Sequence, residues 1–230
     1  MELKQVKIIG LGGIGGWLVK AVAVVLDHGD CNYLLTIIDG DKYEDKNHQR
    51  QQFRLSDTNE YKAYAQANWL DAYYQGSDRL LCKSNCCYID ETNIAGLIQD
   101  GDIVLLCVDN HATRKLVSDH CSKLKNITLI SGGNDAHDGN VMIYRRINGR
   151  DKSPSLTEYH PEIANPADKL PDDLSCEERI AAGDTQTVAA NFMAASIMLN
   201  ALCSVLANEP TPHEVYFGTI TNTASPRKRK

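Results

Sequence analysis

Short apolar runs recur along the chain, each broken off by glycine or an acid and most followed by a helical period. "QVKII" (residues 5–9) reads as a buried strand. The glycine-rich "GLGGIGG" follows, then a helix to about Leu26, apolar at Trp17, Val19, Val22, Val24 and Val25. "YLLTIID" predicts a second buried strand ending at Asp39. Residues 60–74 predict a helix with Ala63, Ala67, Leu70 and Tyr74 on one face. "RLLCKSNCCYI" holds a third strand, "DIVLLCVD" a fourth, and Ala112 to Leu124 the helix after it. "ITLISGG" and "NVMIYRR" predict a fifth and a sixth strand. Strands alternating with helices predict an α/β, Rossmann-like fold: a mostly parallel sheet with helices on both faces.

The pattern stops between Ile147 and Leu174, where Pro154, Pro161, Pro166 and Pro171 fall among Asp, Asn and Ser. A loop this long in a compact domain is usually a lid, a crossover or a disordered segment. A helical start at Ser175, a break at Gly183 and a long uncharged helix follow, and "EVYFGTI" is expected to close the chain as a strand. Thr185 to Asn208 is long enough to span a bilayer. Its Asn191, Ser196, Asn200, Ser204 and alanines point instead to a helix buried against a sheet or a second subunit. The expected organisation is one domain: a nucleotide-binding core over 1–147, a crossover loop over 148–176, and a C-terminal helix and strand over 177–230.

Composition narrows the class. The 230 residues suit one α/β domain with a full core, and the net charge of −6 disfavours sequence-independent nucleic-acid binding. The basic end, Arg227 to Lys230, reads as a solvated tail. No signal peptide precedes the first strand, and the eight cysteines show no disulfide framework, so a reduced, cytoplasmic setting is expected. No C-x-x-C pair and no histidine spacing suggests zinc.

The chemistry gathers at strand ends. Gly10, Gly12 and Gly15 satisfy G-x-G-x-x-G between a strand and a helix, where backbone N–H groups can hold phosphate. Asp39 ends the second strand, where an acid holds a ribose hydroxyl. Up to this point an NAD-dependent oxidoreductase stays open. The loop "DGDKYEDKNHQRQQF" adds Asp41, Asn47, Arg50 and Gln51, which a dinucleotide does not require. A guanidinium and amides beside a phosphate cradle suit a triphosphate, whose leaving pyrophosphate must be neutralised. Lys62 offers a further cation. Asp109 stands at the carboxyl end of the fourth strand, the ligand-binding edge of such sheets, and a carboxylate there can hold magnesium. Asp109-Asn110 can equally cap the next helix, and both readings can hold together.

These residues together resemble the ThiF/MoeB/HesA family within the ubiquitin-activating-enzyme superfamily. The family's pattern is a G-x-G-G-x-G loop, D-x-D, N-x-x-R-Q, a lysine, and C-x-D-N-x-x-x-R. It is matched here by Gly10-Leu11-Gly12-Gly13-Ile14-Gly15, Asp39-Gly40-Asp41, Asn47-His48-Gln49-Arg50-Gln51, Lys62, and Cys107-Val108-Asp109-Asn110 with Arg114. The match runs from residue 5 to about 146 with order and spacing kept. The resemblance implies that Asp39 holds the ATP ribose, that Asn47, Arg50 and Lys62 bind phosphates, and that Asp109 binds Mg2+. It implies attack of a carboxylate on the α-phosphate, with the C-terminal glycine of a ubiquitin-like or sulfur-carrier protein as the acyl donor. A thioester step is expected on Cys176, which leads into "AAGDTQTVAAN" as in single-domain activators. Ser175 and Glu178 form an S-x-x-E capping box that would set Cys176 in a first helical turn and favour thiolate, while Glu177 and Glu178 oppose it. Cys31, Cys82, Cys86, Cys87, Cys107, Cys121 and Cys203 read as small buried residues.

The family's N-terminal arginine arm, its paired C-x-x-C zinc site and the extra domains of large activators have no counterpart in this sequence. The expectation is a minimal homodimeric activator, with a ubiquitin-conjugating-like enzyme as a further partner and no membrane or nucleic-acid partner. The alternatives are adenylation of a sulfur carrier without thioester, a tRNA-cyclising dehydratase-like enzyme, a non-catalytic subunit, and last an NAD oxidoreductase. The acidic balance counts against tRNA.

Overall fold

The computed structural model describes residues 3–49, 51–171 and 187–228. The apolar runs become strands. β1 (Leu3–Ile9), β2 (Asn32–Ile38), β3 (Leu80–Asn85), β4 (Ile103–Leu106) and β5 (Ile127–Asn134) lie parallel in the order β3-β2-β1-β4-β5. β6 (Asp138–Ile147) pairs antiparallel with β5, and β7 (Arg150–Asp151) folds back on β6. β8 (Glu214–Gly218) pairs with β6, and β9 (Thr223–Arg227) with β8, both antiparallel. The helices are α1 (Gly13–Asp27), α2 (Lys62–Tyr73), α3 (Ile94–Leu97), α4 (His111–Cys121), α5 (Pro161–Ala164) and α6 (Val188–Leu206).

Strand alternation sends neighbouring side chains to opposite faces, and two cores result. On one face Ile8, Leu35, Leu105, Ile130 and Ile143 pack under Leu18 and Val22 of α1, Leu70 of α2 and Met198 and Leu202 of α6. On the other Ile9, Ile38, Val104, Leu106 and Leu129 pack under Ile94 of α3, Val117 of α4 and Ile163 of α5. The fold is the expected Rossmann-like one, with a mostly parallel sheet covered on both sides. Strand order reverses between β1 and β4, and that is where such sheets open a crevice for ligand.

Several local expectations need correction. Val24 is 51% exposed, because Leu18, Val19, Val22, Ala23 and Leu26 already complete the inward stripe of α1. β4 stops at Leu106, so Cys107 to Asp109 leave the sheet rather than extend it. β8 does not close the chain: β9 follows it, and Arg227 lies in β9 with its guanidinium 4.7 Å from the Tyr216 ring centre. The proline-rich stretch is partly built, with β7 and α5 and with Leu156 and Ile163 buried. α6 is long and apolar enough to cross a membrane, yet Ala190, Ala194, Met198 and Leu202 are buried on the sheet.

Candidate nucleotide site

Register assembles the site. Ile9 pairs with Ile38 on one side and Leu106 on the other, so the chain leaves β1, β2 and β4 in one row. The glycine loop, Asp39 and the Asp109 turn therefore share the carboxyl edge at the point of strand reversal. Gly10 donates its N–H to Ile38 O (2.9 Å) and Cys107 donates to Ile9 O (2.7 Å), stitching the three exits together.

Gly10 has φ +87°, and a Cβ there would lie 3.0 Å from the Cys107 carbonyl, so only glycine fits the turn. Gly12 is the N-cap of α1 and Gly13 its first residue; Gly15 is buried in the first turn. Among the described residues no side chain caps α1, and no acid lies in its first turn. Its leading N–H groups are therefore open to an anion, and the helix dipole favours one there.

Asp39 is buried and spans the loop. Its Oδ2 accepts from Leu11 N (2.5 Å) and its Oδ1 from Asp41 N (2.7 Å). Burial pushes its carboxyl up to about 6, against the pull of Lys62 and of both N–H groups; the Asp41 charge adds to the rise. Asp41 is half in water, and its oxygens receive Lys62 Nζ (2.9 Å) and the Tyr88 hydroxyl. Lys62, 6% exposed, is thus an ammonium held in place at the start of α2.

Residues 39–61 leave and return at one neck. Lys42 bridges Tyr61, and Lys62 N donates to Asp41 O (2.9 Å). Tyr43 plugs the loop: it is buried, stacks on Phe53 at 4.0 Å and accepts from Gln66 Nε2 (2.7 Å). A 310 turn, Asp45–Gln49, buries Asn47, whose Oδ1 accepts from Glu44 N (3.0 Å). His48 is exposed and stacks on Phe53. Gln51 is buried, and neither side-chain polar atom is bonded among the described residues. Arg50 lies outside the described residues.

Asp109 is exposed beside the loop. Asn110 takes the capping role, its Oδ1 accepting from Thr113 N (2.7 Å). Arg114 is buried and donates through Nε and Nη2 to Val108 O (3.2 and 2.9 Å) and through Nη2 to Gly132 O (3.2 Å). It therefore sets the turn that carries Asp109. Burial lowers the Arg114 pKa, and the Asp109 and Asp168 carboxylates oppose that. Asp168, from the crossover, accepts from His111 N (2.7 Å) and Ala112 N (2.8 Å) and closes the start of α4. Tyr43, Tyr88 and Asp168 support the site without any spacing in the sequence that marks them.

Cys176, with Ser175 and Glu178, lies outside the described residues. Cys107 and Cys121 are buried, and burial pushes both thiols up to about 12. Cys82 is half-buried and pushed equally high. Cys86, expected to be buried, is exposed, because β3 ends one residue before it. Among the described residues no three His, Cys, Asp or Glu side chains converge as a metal cage. One carboxylate at a phosphate site still suits magnesium, which keeps waters and is carried largely by the phosphates.

The ThiF family profile matches residues 2–228. This chain belongs to the ThiF family. It is similar to the adenylyltransferase and sulfurtransferase MOCS3 of Drosophila sechellia, 32% identical over 153 residues, which are 65% of this chain and 31% of that protein. Among solved structures, E. coli MccB with MccA-N7isoASN superposes with a TM-score of 0.74 at 16% identity, over 98% of this chain and 64% of that one. MccB with ATP gives 0.72 at 16% identity, over 98% and 63%. PaaA gives 0.69 at 19% identity, over 98% and 64%. At these identities the likeness is one of fold. The ThiF-family chain spans 31% of MOCS3 and less than two thirds of MccB and PaaA.

Proposed function

We propose that this ThiF-family chain binds ATP and adenylates the C-terminal carboxylate of a small protein or peptide. One arrangement carries the reading: an uncapped glycine-loop helix, a buried Asp39, a clamped Lys62 and an exposed Asp109 around one strand reversal. The leading N–H groups of α1 would take phosphate, and Asp39 the ribose hydroxyls. A carboxylate oxygen would attack the α-phosphorus while the bond to the β-phosphate breaks and pyrophosphate leaves. Lys62, held by Asp41 and Tyr88, would meet the charge on the leaving group, with Arg50 as a second cation. Asp109 would hold the Mg2+ that neutralises the phosphates. Preset groups of this kind stabilise a transition state without reorganising.

The acyl donor is proposed to be a ubiquitin-like or sulfur-carrier protein, and the next step a thioester: Cys176 Sγ attacks the acyl carbon and AMP leaves. A second reading ends at the adenylate, and the MccA carried by the similar fold of MccB favours a peptide donor for it. A homodimer is supported by the uncharged outer side of α6, where Val188 is 37% and Phe192 47% exposed.

ATP–pyrophosphate exchange tests the site. Arg50→Ala and Asp109→Ala are each expected to abolish it; unchanged exchange in both refutes the assignment. Intact-mass analysis with a ubiquitin-like protein and ATP–Mg2+ tests the second step. A thiol-sensitive adduct lost in Cys176→Ala establishes the thioester. Exchange without an adduct limits the enzyme to adenylation.

A further inference from the structure

Asn191 lies on α6, far along the chain from the motifs above. It is 0% exposed, and neither Nδ2 nor Oδ1 has a hydrogen-bond partner among the described residues. A carboxamide sealed from water with both groups unpaired is costly, and native structures keep few of them. The other inward residues of this helix turn are Ala190, Ala194 and Ala195, so an apolar side chain would suit the position. The amide presses instead on α1. A Cβ at Gly13 would overlap the Asn191 carboxamide, so the two groups are in direct contact only because residue 13 is glycine. Gly13 opens α1, in the turn whose N–H groups are uncapped.

A second buried amide lies along the same two helices, about one turn away. Gln51 is 5% exposed with both polar atoms unpaired. It lines a cavity with Trp17, His48, Phe53 and Val188. Trp17 is one helical turn beyond Gly13 on α1, and Val188 is one turn before Asn191 on α6. The start of α6 is also anchored: Thr187 Oγ1 donates to Ala136 O (2.7 Å) and accepts from Ala190 N (3.3 Å). Asn191 is therefore held against α1 rather than left to swing away.

We propose that Asn191 is a phosphate ligand that completes the nucleotide cradle from the C-terminal helix. Its Nδ2, closed to water where it packs on Gly13, donates to a phosphate oxygen at the start of α1 once binding opens that contact. An open helix N-terminus attracts an anion, and a neutral amide beside it supplies a donor without adding charge. This rests on the ATP-binding reading above. It also makes α6 responsive to nucleotide occupancy, because the amide gains its partner only when phosphate is present.

The test compares adenosine, AMP and ATP–Mg2+ binding to the wild type, Asn191→Leu and Asn191→Asp. Leu keeps nearly the same shape without polar atoms; Asp keeps the shape and repels phosphate. Asn191→Leu without ligand is expected to melt above the wild type, since it buries no unpaired amide. Its ATP affinity should fall at least about tenfold while adenosine affinity holds. Asn191→Asp should lose more ATP affinity than Leu, and it carries the same comparison if Leu fails to fold. Equal ATP binding by wild type and variants, or equal weakening toward adenosine and ATP, overturns the assignment while leaving the adenylation reading intact. A wild type that binds adenosine but gains nothing from phosphates overturns both.

Discussion

Asp39 is a carboxylate whose burial the fold has to bear. It is 7% exposed, and burial raises it from an ordinary 3.8 to about 6. The folded chain therefore holds this proton more tightly than the unfolded chain does. By linkage, the stability contributed by protonated Asp39 is complete below about pH 4. It declines as the pH rises from 3.8 towards 6 and is gone above that. At about 1.4 kcal/mol for each pH unit, the full decline is about 3 kcal/mol. Asp39→Asn is the reference, because it cannot titrate. The amide loses one of the two acceptors now facing Leu11 N and Asp41 N, but that loss does not change with pH. Urea melts of both proteins at several values between pH 4 and 7.5 should show the stability difference moving by about 3 kcal/mol in favour of the variant as pH rises. A difference that stays constant across this range would refute the account of a desolvated carboxylate. The same group gives a binding signature. On the proposed reading ribose hydroxyls would donate to the ionised form, so wild-type affinity for adenosine should rise from pH 5 to 7 and stay flat in Asp39→Asn. Adenosine is the suitable probe because it carries no phosphate to titrate.

Lys62→Ala should lower ATP–pyrophosphate exchange by about a hundredfold or more, as for loss of a preset transition-state donor; circular dichroism should show the fold retained. Glu214, 2% exposed, accepts from Asn140 Nδ2 (2.8 Å) and lies 2.8 Å from His160 Nε2. Glu214→Ala strands both partners and should cost about 2–5 kcal/mol in a denaturant melt, with adenosine affinity unchanged in the protein that remains folded. Gly10→Ala must adopt φ +87° and meet the Cys107 carbonyl, so it should destabilise by about 1–3 kcal/mol and weaken ATP binding.

The inner parallel strands were legible because they are buried on both faces and so appear as near-continuous apolar runs, whereas the edge strand β3 is not, with Leu81 57% exposed. "QVKII", "YLLTII" and "ITLIS" need no partner to be recognised. β9 was not legible: "TASPR" is exposed throughout and owes its strand state to the ladder with β8. α5 and β7 are too short to show any period; buried Ile163 and Leu156 and the Asp151 carboxylate under Tyr144 and Arg146 hold them. The site divides in the same way. Asp39 and Asp109 could be named as candidates because each follows an apolar strand, and Lys62 because it opens the helix after the polar loop. Asp168 could not, because its role comes from reaching back to α4 across the crossover. Asn191 carried a faint signal, an amide in a helix with no formal charge, which in the sequence served only to argue against a membrane span.

Two helices begin at the same sheet edge, and they are finished differently. The start of α4 has Asn110 as its cap and the Asp168 carboxylate on its next two N–H groups. The start of α1 has no side-chain cap, no acid, and two buried unpaired amides, one packed on its first turn and the other lining the cavity alongside. Three carboxylates of this edge are meanwhile provided for: Asp39 by two N–H groups, Asp41 by Lys62 and Tyr88, Asp168 by α4, while Asp109 is exposed. What is left over around α1 is its own leading N–H groups and two amides that each leave a donor and an acceptor unpaired among the described residues. Burying a donor without an acceptor is expensive, so those N–H groups point to the missing partner. It must bring several acceptor oxygens to the first turn of α1 and leave α4 alone. A polyphosphate does this, and on the proposed reading its ribose would be directed to Asp39 and its far end to Lys62. A nicotinamide dinucleotide would satisfy α1 and Asp39 but has no use for an ammonium clamped by a carboxylate and a phenol.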